Sequence, residues 1–322
     1  MALQSPHDAL FRAAFESPLH ARALLECLLP KELLGLVVLE SLEQQAGDGR
    51  GKQLEEFRTD LLFRANIAGS PGFVCFLFEH QSSSDAGMPL RVLGYLVRIW
   101  ERYWRQRPGE PLPPIVPVVM SHDPKGWRAP FAFSELLPDS VREHPVLRSV
   151  TPDFRCVVDD LSRLSDAELR ARALGPFPTL VLWALRDSRT PGQILLTLDQ
   201  WADALTDTAN APGGRDALRQ LFMYISHVAE NLAFDQFRAR VARMAPAAEE
   251  AIMTIAEQLK AQGLEQGLEQ GRRQSLQKLL ALKFGPLSEV ATARIRDADA
   301  ETLDRWLERI LSADSAEDVL EA

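Results

Sequence analysis

The sequence predicts an α/β fold with a core of element order αβββαβ, followed by mostly helical C-terminal regions. Three observations predict this class. Short β-branched apolar runs bounded by turn residues alternate with helical patterns in residues 1–125. Helical periodicity dominates residues 161–240. Beyond residue 244 the chain becomes charged and rich in alanine and leucine, which is typical of helices.

The first elements follow from local signals. Ser5 as a cap, Pro6 at the first helical position and Asp8 completing a capping box predict a first helix that runs to about Pro30. A second helix is expected from Met88 to Gln106. The predicted strands lie in LLGLVVLESL, in the two arms of RTDLLFRANIAGSPGFVCFLFEHQS, in PPIVPVVMSH and in FRCVVDDLS.

Composition predicts three regions. Residues 1–125 form the core, residues 126–244 form a mostly helical extension that completes or packs on it, and residues 245–322 form a helical tail that ends in a small helical module. The tail contains GLEQGLEQG, in which each glycine costs about 1 kcal/mol relative to alanine in a helix. Two interpretations stay open: close approach of another helix, which would make the tail a homo-oligomer contact, or a low-complexity linker.

Bulk properties narrow the function classes. No apolar run reaches the roughly 18 residues that a membrane helix needs, so we expect a cytoplasmic protein without a membrane partner. The three cysteines lack CxxC spacing, which argues against a zinc site or a disulfide framework. The net charge of -9 does not favour a nucleic-acid partner unless a local basic surface exists.

The hairpin RTDLLFRANIAGSPGFVCFLFEHQS carries carboxylates within an apolar pattern. If its turn centres between Ser70 and Pro71, antiparallel pairing puts Asp60 opposite residue 81, on the face that Glu79 and Gln81 share. Converging carboxylates are tolerable when a divalent cation lies between them, and Mg²⁺ suits such oxygen ligands. This chemistry is that of a phosphodiesterase. The alternative is that both carboxylates are solvated at exposed strand ends.

A family resemblance makes this pattern specific. Asp60 on the second strand and Glu-x-Gln on the third resemble the restriction-endonuclease-like PD-(D/E)xK nuclease core, in the variant in which Gln replaces the usual Lys. The segments PHDALFRAAFESPLHARALLECLLP, TDLLFR and LFEHQSSSDAGMPLRVLGYLVRIW resemble the recombination-promoting nuclease family of transposase-like proteins. The resemblance covers about residues 5–125, and the glycine-spaced tail is also similar to that family.

The resemblance implies a metal-dependent DNA endonuclease of low sequence specificity. Asp60 and Glu79 would bind Mg²⁺ or another divalent cation, with the backbone carbonyl of His80 as a further ligand. Gln81 would take the place of the lysine that orients the attacking water. Because Gln carries no positive charge, the cation or a nearby arginine must stabilise the transition state.

The helix from Met88 to Gln106 carries a basic stripe. One face holds four arginines and a tyrosine at spacings of four and three: Arg91, Tyr95, Arg98, Arg102 and Arg105. The opposite face is predicted to pack on the sheet through Leu93, Val97, Trp100 and Trp104. Arginine forks suit phosphate oxygens, so the stripe is a candidate DNA contact. The alternative is a solvated face whose arginines pair with Glu101 or Asp85.

Asp8 and the run Ser121-His122-Asp123 are two further candidates for functional residues. Asp8 is interpreted first as a helix-capping residue. Because His7-Asp8 matches the opening motif of the family, Asp8 is also a secondary candidate for the metal site. The run Ser121-His122-Asp123 cannot form a catalytic triad, because a triad needs side chains that converge from different places. A nuclease fold that only binds DNA or self-associates, and an RNA or single-stranded substrate, remain open alternatives.

Overall fold

The structure, a computed structural model, describes residues 5–45, 61–79, 85–229 and 231–321. The expected first helix is three helices, α1 (Pro6–Phe15), α2 (Pro18–Leu28) and α3 (Lys31–Leu34). The prediction of one continuous helix is wrong because Pro18 fixes its own backbone and holds Ser17 in an extended conformation, at ψ 125°. Helix α3 also occupies residues that were predicted to begin the first strand.

Five strands form one mixed sheet in the order β1-β2-β3-β4-β5. Their bounds are β1 (Val37–Gln44), β2 (Leu61–Ile67), β3 (Ser70–Glu79), β4 (Ile115–Ser121) and β5 (Val157–Asp160). The pairs β1/β2 and β2/β3 are antiparallel, whereas β3/β4 and β4/β5 are parallel. Helix α4 (Met88–Gln106) lies between β3 and β4 in the chain, with the predicted bounds. The α/β class is confirmed.

The β2/β3 hairpin has a different register from the predicted one. Ala68 and Gly69 have φ values of 51° and 79°, and Ile67 pairs with Ser70. Two consecutive residues at positive φ are characteristic of a tight two-residue hairpin turn. Leu61 therefore pairs with Phe76, whereas a turn centred between Ser70 and Pro71 would have paired it with residue 80. The predicted centre of the turn is therefore wrong, whereas Asp60 and residue 81, whose pairing was expected from it, lie outside the described residues.

The two faces of the sheet pack against different helices. Phe76 lies 6.0 Å from Phe63 and 6.2 Å from Phe11 of α1, measured between ring centroids. On the other face Leu77 shares a buried cluster with Val92 of α4. Each such large apolar side chain contributes about 1.5–3 kcal/mol on full burial. The sheet therefore lies between α1 and α4.

The chain beyond β4 is mostly helical, as predicted. The remaining helices are α5 (Asp139–Arg142), α6 (Pro145–Ser149), α7 (Asp166–Ala171), α8 (Pro176–Asp187), α9 (Gln193–Thr197), α10 (Ala202–Asn210), α11 (Gly214–Val228), α12 (Phe234–Met244), α13 (Glu249–Phe284), α14 (Glu289–Asp297), α15 (Ala300–Arg309) and α16 (Ala316–Leu320). Helix α1 contacts α8 and α11. None of the helices described here has the length and apolar character needed to cross a bilayer.

The chain divides into two compact units, residues 1–253 and 254–322, each with its own core. The second unit buries an apolar cluster that includes Leu280, Ile295 and Trp306. The GLEQGLEQG repeat is helical, within α13. A side chain placed at Gly271 would meet no described atom within 4 Å, and Leu268 is exposed. Both interpretations of the repeat stay open.

Candidate active site

The parallel strands β3, β4 and β5 end together at one edge of the sheet, which we call the carboxyl edge. Glu79 is paired with Ser121, and Ser121 with Asp160, in the strand register. Directly after β4, His122 is fully buried and Asp123 is 3% exposed. The carboxyl ends of parallel strands are where open α/β sheets bind ligands. Buried polar side chains at this edge therefore mark the candidate site.

Of the predicted ligand set, the structure describes only Glu79. Glu79 is the last residue of β3 and is described by its main chain alone. Asp60, His80 and Gln81 lie outside the described residues. Their roles stay predictions. The main chain of β3 nevertheless brings Glu79 to the carboxyl edge, beside the end of β4.

Asp8 is a fully buried carboxylate in the first turn of α1. The Ser5 side chain makes no capping hydrogen bond, so the predicted capping box is wrong. A carboxylate removed from water needs compensation from the protein around it. Burial of Asp8 by the tertiary structure explains why it does not serve as an exposed cap residue.

His7 joins the start of α1 to two distant parts of the chain. Its Nδ1 lies 2.9 Å from the Tyr224 hydroxyl of α11 in a hydrogen bond. Its ring lies 4.5 Å from that of His122, in an edge-to-face arrangement. Because Asp8 follows His7 directly, these contacts hold the first turn of α1 beside the residue that follows β4.

Arg189, which lies just beyond α8, contacts His122 as well. We call His7, His122, Arg189 and Tyr224 together the histidine cluster. Nη1 of Arg189 lies 3.3 Å from Nδ1 of His122, and a guanidinium can only donate in such a contact. Burial raises the pKa of Tyr224 above its ordinary value, against a smaller opposing effect of Arg189. The Tyr224 hydroxyl therefore stays protonated at neutral pH and can keep its bond with His7.

Asp159 of β5, a buried charge near the carboxyl edge, forms an ion pair with Arg172. Arg172 donates two hydrogen bonds to the Asp159 carboxylate of β5, at 2.6 and 2.7 Å, and both side chains are almost fully buried. A two-pronged pair of this kind gives each carboxylate oxygen a charge-assisted donor. Within the described residues, no group of three or more His, Cys, Asp or Glu side chains is arranged to hold a metal ion.

Helix α4 packs differently from the prediction. Its buried face consists of Met88, Val92 and Leu96, which meet Leu77 and Trp127 in one cluster. Because successive residues turn by about 100°, this face lies about a quarter turn from the basic stripe rather than opposite it. Of the four residues expected to pack on the sheet, Val97 and Trp104 are instead 42% and 49% exposed.

The basic stripe of α4 is only partly exposed. Arg98 and Arg105 are exposed and Arg102 is half-buried. Arg91 lies 3.5 Å from Asp85 in an ion pair, which is the alternative weighed from the sequence. Tyr95 packs against the cluster beneath α4. A contact between these side chains and DNA stays a prediction.

Sequence reasoning missed the convergence of His122, Arg189 and Tyr224. One signal was present, because a run of three polar residues, Ser121 to Asp123, directly follows an apolar strand. Such a run at the end of a parallel strand indicates a ligand-binding edge. Tyr224 offered no signal, because its contact spans 217 residues of chain.

Comparison with known proteins identifies the family. A family model described as "Putative transposase, YhgA-like" matches residues 5–212. The chain belongs to this family. The matched region includes the whole sheet and extends through α10, well beyond the 5–125 segment on which the resemblance was first based.

Curated relatives in Escherichia coli cover most of the chain. The inactive recombination-promoting nuclease-like protein RpnE of strain K12 is 26% identical over 92% of this chain and 96% of its own. The recombination-promoting nuclease RpnD of O157:H7 is 27% identical over 79% of this chain and 94% of its own. The recombination-promoting nuclease RpnA of K12 is 25% identical over 80% of this chain and 85% of its own. No solved structure matches this chain.

Proposed function

We propose that this protein is a divalent-cation-dependent DNA endonuclease with a restriction-endonuclease-like PD-(D/E)xK core. The observation that carries the proposal is the pairing of Glu79 with Ser121. It brings the end of the strand with the Glu-x-Gln motif to the carboxyl edge, where β4 also ends. The antiparallel β1-β2-β3 arrangement, followed by α4 and a parallel β4, supports the αβββαβ core.

The relatives support the same chemistry. RpnD and RpnA, which cover most of this chain, are named recombination-promoting nucleases. By analogy with these names, we extend the proposal to cleavage of DNA during recombination.

The donor chemistry fits Mg²⁺. Asp60, Glu79 and the carbonyl of His80 offer hard oxygen ligands, which Mg²⁺ prefers over nitrogen or sulfur. Asp8, buried beside His7 at the start of α1, is a further carboxylate for the same site. When bound, the cation would lower the pKa of a water molecule and neutralise charge that develops on the phosphate. Gln81 would orient that water through its side-chain amide.

Substrate binding would rest on backbone phosphates. Helix α4, which carries the arginines, packs on the face of the sheet that contains Leu77. Phosphate contacts carry no base information, so the proposal includes low sequence specificity.

The decisive experiment is nicking of supercoiled plasmid DNA by the purified protein with Mg²⁺, Mn²⁺ or EDTA. We expect nicking with either metal and none with EDTA. Asp60→Ala and Glu79→Ala should each abolish nicking while thermal unfolding stays close to that of the wild type. Asp207→Ala, which removes an exposed carboxylate of α10, is the matched control and should nick normally. Nicking in EDTA, or full activity of both variants, would contradict the proposal.

A second candidate is a nuclease fold that binds DNA or self-associates without cleaving. One observation favours it: RpnE, which matches over 92% of this chain, is named an inactive nuclease-like protein. Titration calorimetry with Mg²⁺ separates the two candidates. A nuclease should bind Mg²⁺ and lose that binding in Glu79→Gln, whereas a scaffold has no reason to bind the ion at this edge.

A further inference from the structure

Two loops leave the carboxyl edge and carry exposed cations. The loop of residues 122–129 follows β4, and the 3₁₀ turn Leu161–Arg163 follows β5. Lys125 is exposed, and the side chains of Arg128 and Arg163 are 55% and 75% exposed. We call Lys125, Arg128 and Arg163 together the basic loop pair.

Hydrogen bonds to two aspartates hold these loops in place. Asp160 accepts from the Trp127 backbone N–H at 2.8 Å, which ties the first loop to the end of β5. Asp123 accepts from the Lys125 N–H at 2.9 Å, and its carbonyl accepts from Gly126 at 2.8 Å. The cations are therefore carried on a fixed backbone, which reduces the entropy lost when a ligand binds.

Gly126 brings the two loops into contact. Its φ of 78° favours glycine, and a Cβ placed there would lie 3.4 Å from Asp160 Oδ2 and 3.7 Å from Arg163 Nε. The backbone of the first loop thus lies against the side chain of Arg163. Lys125, next to Gly126 in the chain, and Arg163 consequently lie at neighbouring positions.

The outward charge of the basic loop pair is positive. The carboxylates below it are largely removed from water: the side chains of Asp123 and Asp160 are 4% and 12% exposed. Arg128 and Arg163 lie 3.6 and 3.1 Å from these aspartates, yet most of each guanidinium side chain faces solvent. The backbone N–H groups take up part of the acceptor capacity of the carboxylates, and the exposed layer above them is cationic.

The loop that follows β4 packs against the same buried cluster as α4. Trp127, at the centre of the first loop, is 5% exposed and shares the buried cluster with Met88 and Val92 of α4. Lys125 and Arg128 of this loop and the arginines of α4 are thus carried on elements that share one buried cluster. A surface with several cations beside a candidate phosphodiesterase site suits an extended chain of phosphates.

We propose that the basic loop pair binds the phosphate backbone of duplex DNA beside the carboxyl edge, as a second contact in addition to α4. This inference rests on the proposed nuclease function, since it names the way in which the same site would hold its substrate. Arginine forks bind phosphate oxygens in pairs, and Lys125 adds a point charge.

The test is fluorescence anisotropy of a labelled DNA duplex in EDTA, with the full chain, over a range of KCl concentrations. The variant is Lys125→Ala with Arg128→Ala and Arg163→Ala. We expect binding about tenfold weaker at low salt, and a slope of log K against log[KCl] that is shallower by about 2 to 3, because each lost phosphate contact removes about 0.9. The matched control removes three arginines of α11 and α12, one exposed and two half-buried, with Arg215→Ala, Arg219→Ala and Arg238→Ala, and should keep the wild-type slope.

These measurements distinguish failure of the DNA contact at the loops from failure of the nuclease proposal. If the wild type binds and nicks DNA but the loop variant keeps the wild-type slope, the inference fails and the nuclease proposal stands. Equal losses in the loop variant and the control would reduce the effect to bulk charge and also overturn the inference. Binding of an RNA duplex alone, or of no duplex, would overturn it as well. Salt-dependent binding through the loops without any nicking would instead contradict the nuclease proposal.

Discussion

The carboxyl edge and the C-terminal unit use polar residues in opposite ways. Every buried polar or charged residue of the described chain lies between Asp8 and Thr208, and several of them surround the end of β4. In the unit of residues 254–322, the described polar side chains at helix starts serve as caps instead. Ser288, for example, accepts from the Ala291 N–H.

Burial of polar side chains is not needed to form a core in the second unit. The C-terminal unit builds a core around Ile295 and Trp306 without burying one described polar side chain. Buried polar groups cost free energy unless they are satisfied. The three consecutive buried polar residues at the end of β4, Ser121 to Asp123, therefore fit a role in chemistry, and the changes below test this contrast.

The largest effect is expected from neutralising the carboxyl edge. Glu79→Gln should lower the rate of metal-dependent nicking by about 10³-fold, because a bound cation supplies several kcal/mol and each 1.4 kcal/mol is tenfold in rate. Glu301→Gln makes the same change on an exposed position of the C-terminal unit and should leave the rate unchanged. Plasmid nicking measures both, and similar rates for the two variants would remove the contrast.

The next effect concerns stability. Asp159→Asn leaves Arg172 buried without its carboxylate and should destabilise the first unit by about 3–5 kcal/mol. The exposed pair of Arg272 and Asp304 is the counterpart in the second unit, and Asp304→Asn should cost about 0–1 kcal/mol. Urea unfolding, with the transition of each unit fitted separately, measures the two costs.

A compensating double variant sharpens this prediction. Asp159→Leu with Arg172→Met replaces both charged partners by apolar side chains and should recover most of the lost stability. If the double variant is as unstable as Asp159→Asn, the loss comes from packing rather than from an unpaired buried charge.

A smaller effect is expected at the histidine cluster. Tyr224→Phe removes the hydroxyl that bonds His7 and should cost about 1 kcal/mol of stability. If His7 positions Asp8, nicking should also need more Mg²⁺ in this variant. Tyr103→Phe removes an exposed hydroxyl that donates to Glu110 and should change neither property. Identical behaviour of the two variants would show that the cluster has no positioning role.

The smallest effect is a pH dependence in the C-terminal unit. A side-chain hydrogen bond with Thr302, reinforced by the Thr302 backbone N–H, lowers the pKa of Asp299 below its ordinary value. The cap of α15 therefore stabilises the fold above the unfolded pKa of about 3.9 and is lost as pH falls through the lower folded pKa. Thermal unfolding of Asp299→Ala and the wild type should differ near neutral pH and converge in acid. A difference that persists in acid would contradict this explanation.

Local signals predicted much of the fold. Pro89 near the start of α4 and the alternating burial of β2 are local features, and the predicted bounds of α4 and the helical character of residues 161–240 are confirmed. The register of the hairpin was predicted wrongly, because Gly69 and Gly72 both offer a turn and the sequence alone does not choose between them. The structure puts the positive φ values at Ala68 and Gly69.

Residue spacing alone predicted the α/β class and the order of the strands and of α4, whereas the carboxylates that it offers for a cation stay a prediction. Such spacing acts over a few positions of chain. Only the tertiary structure decided that His7 meets Tyr224 and His122, that Asp8 is buried, and which face of α4 packs on the sheet. The reason is physical: these contacts join segments that are far apart in the chain, and burial is set by all of the elements that pack around a side chain.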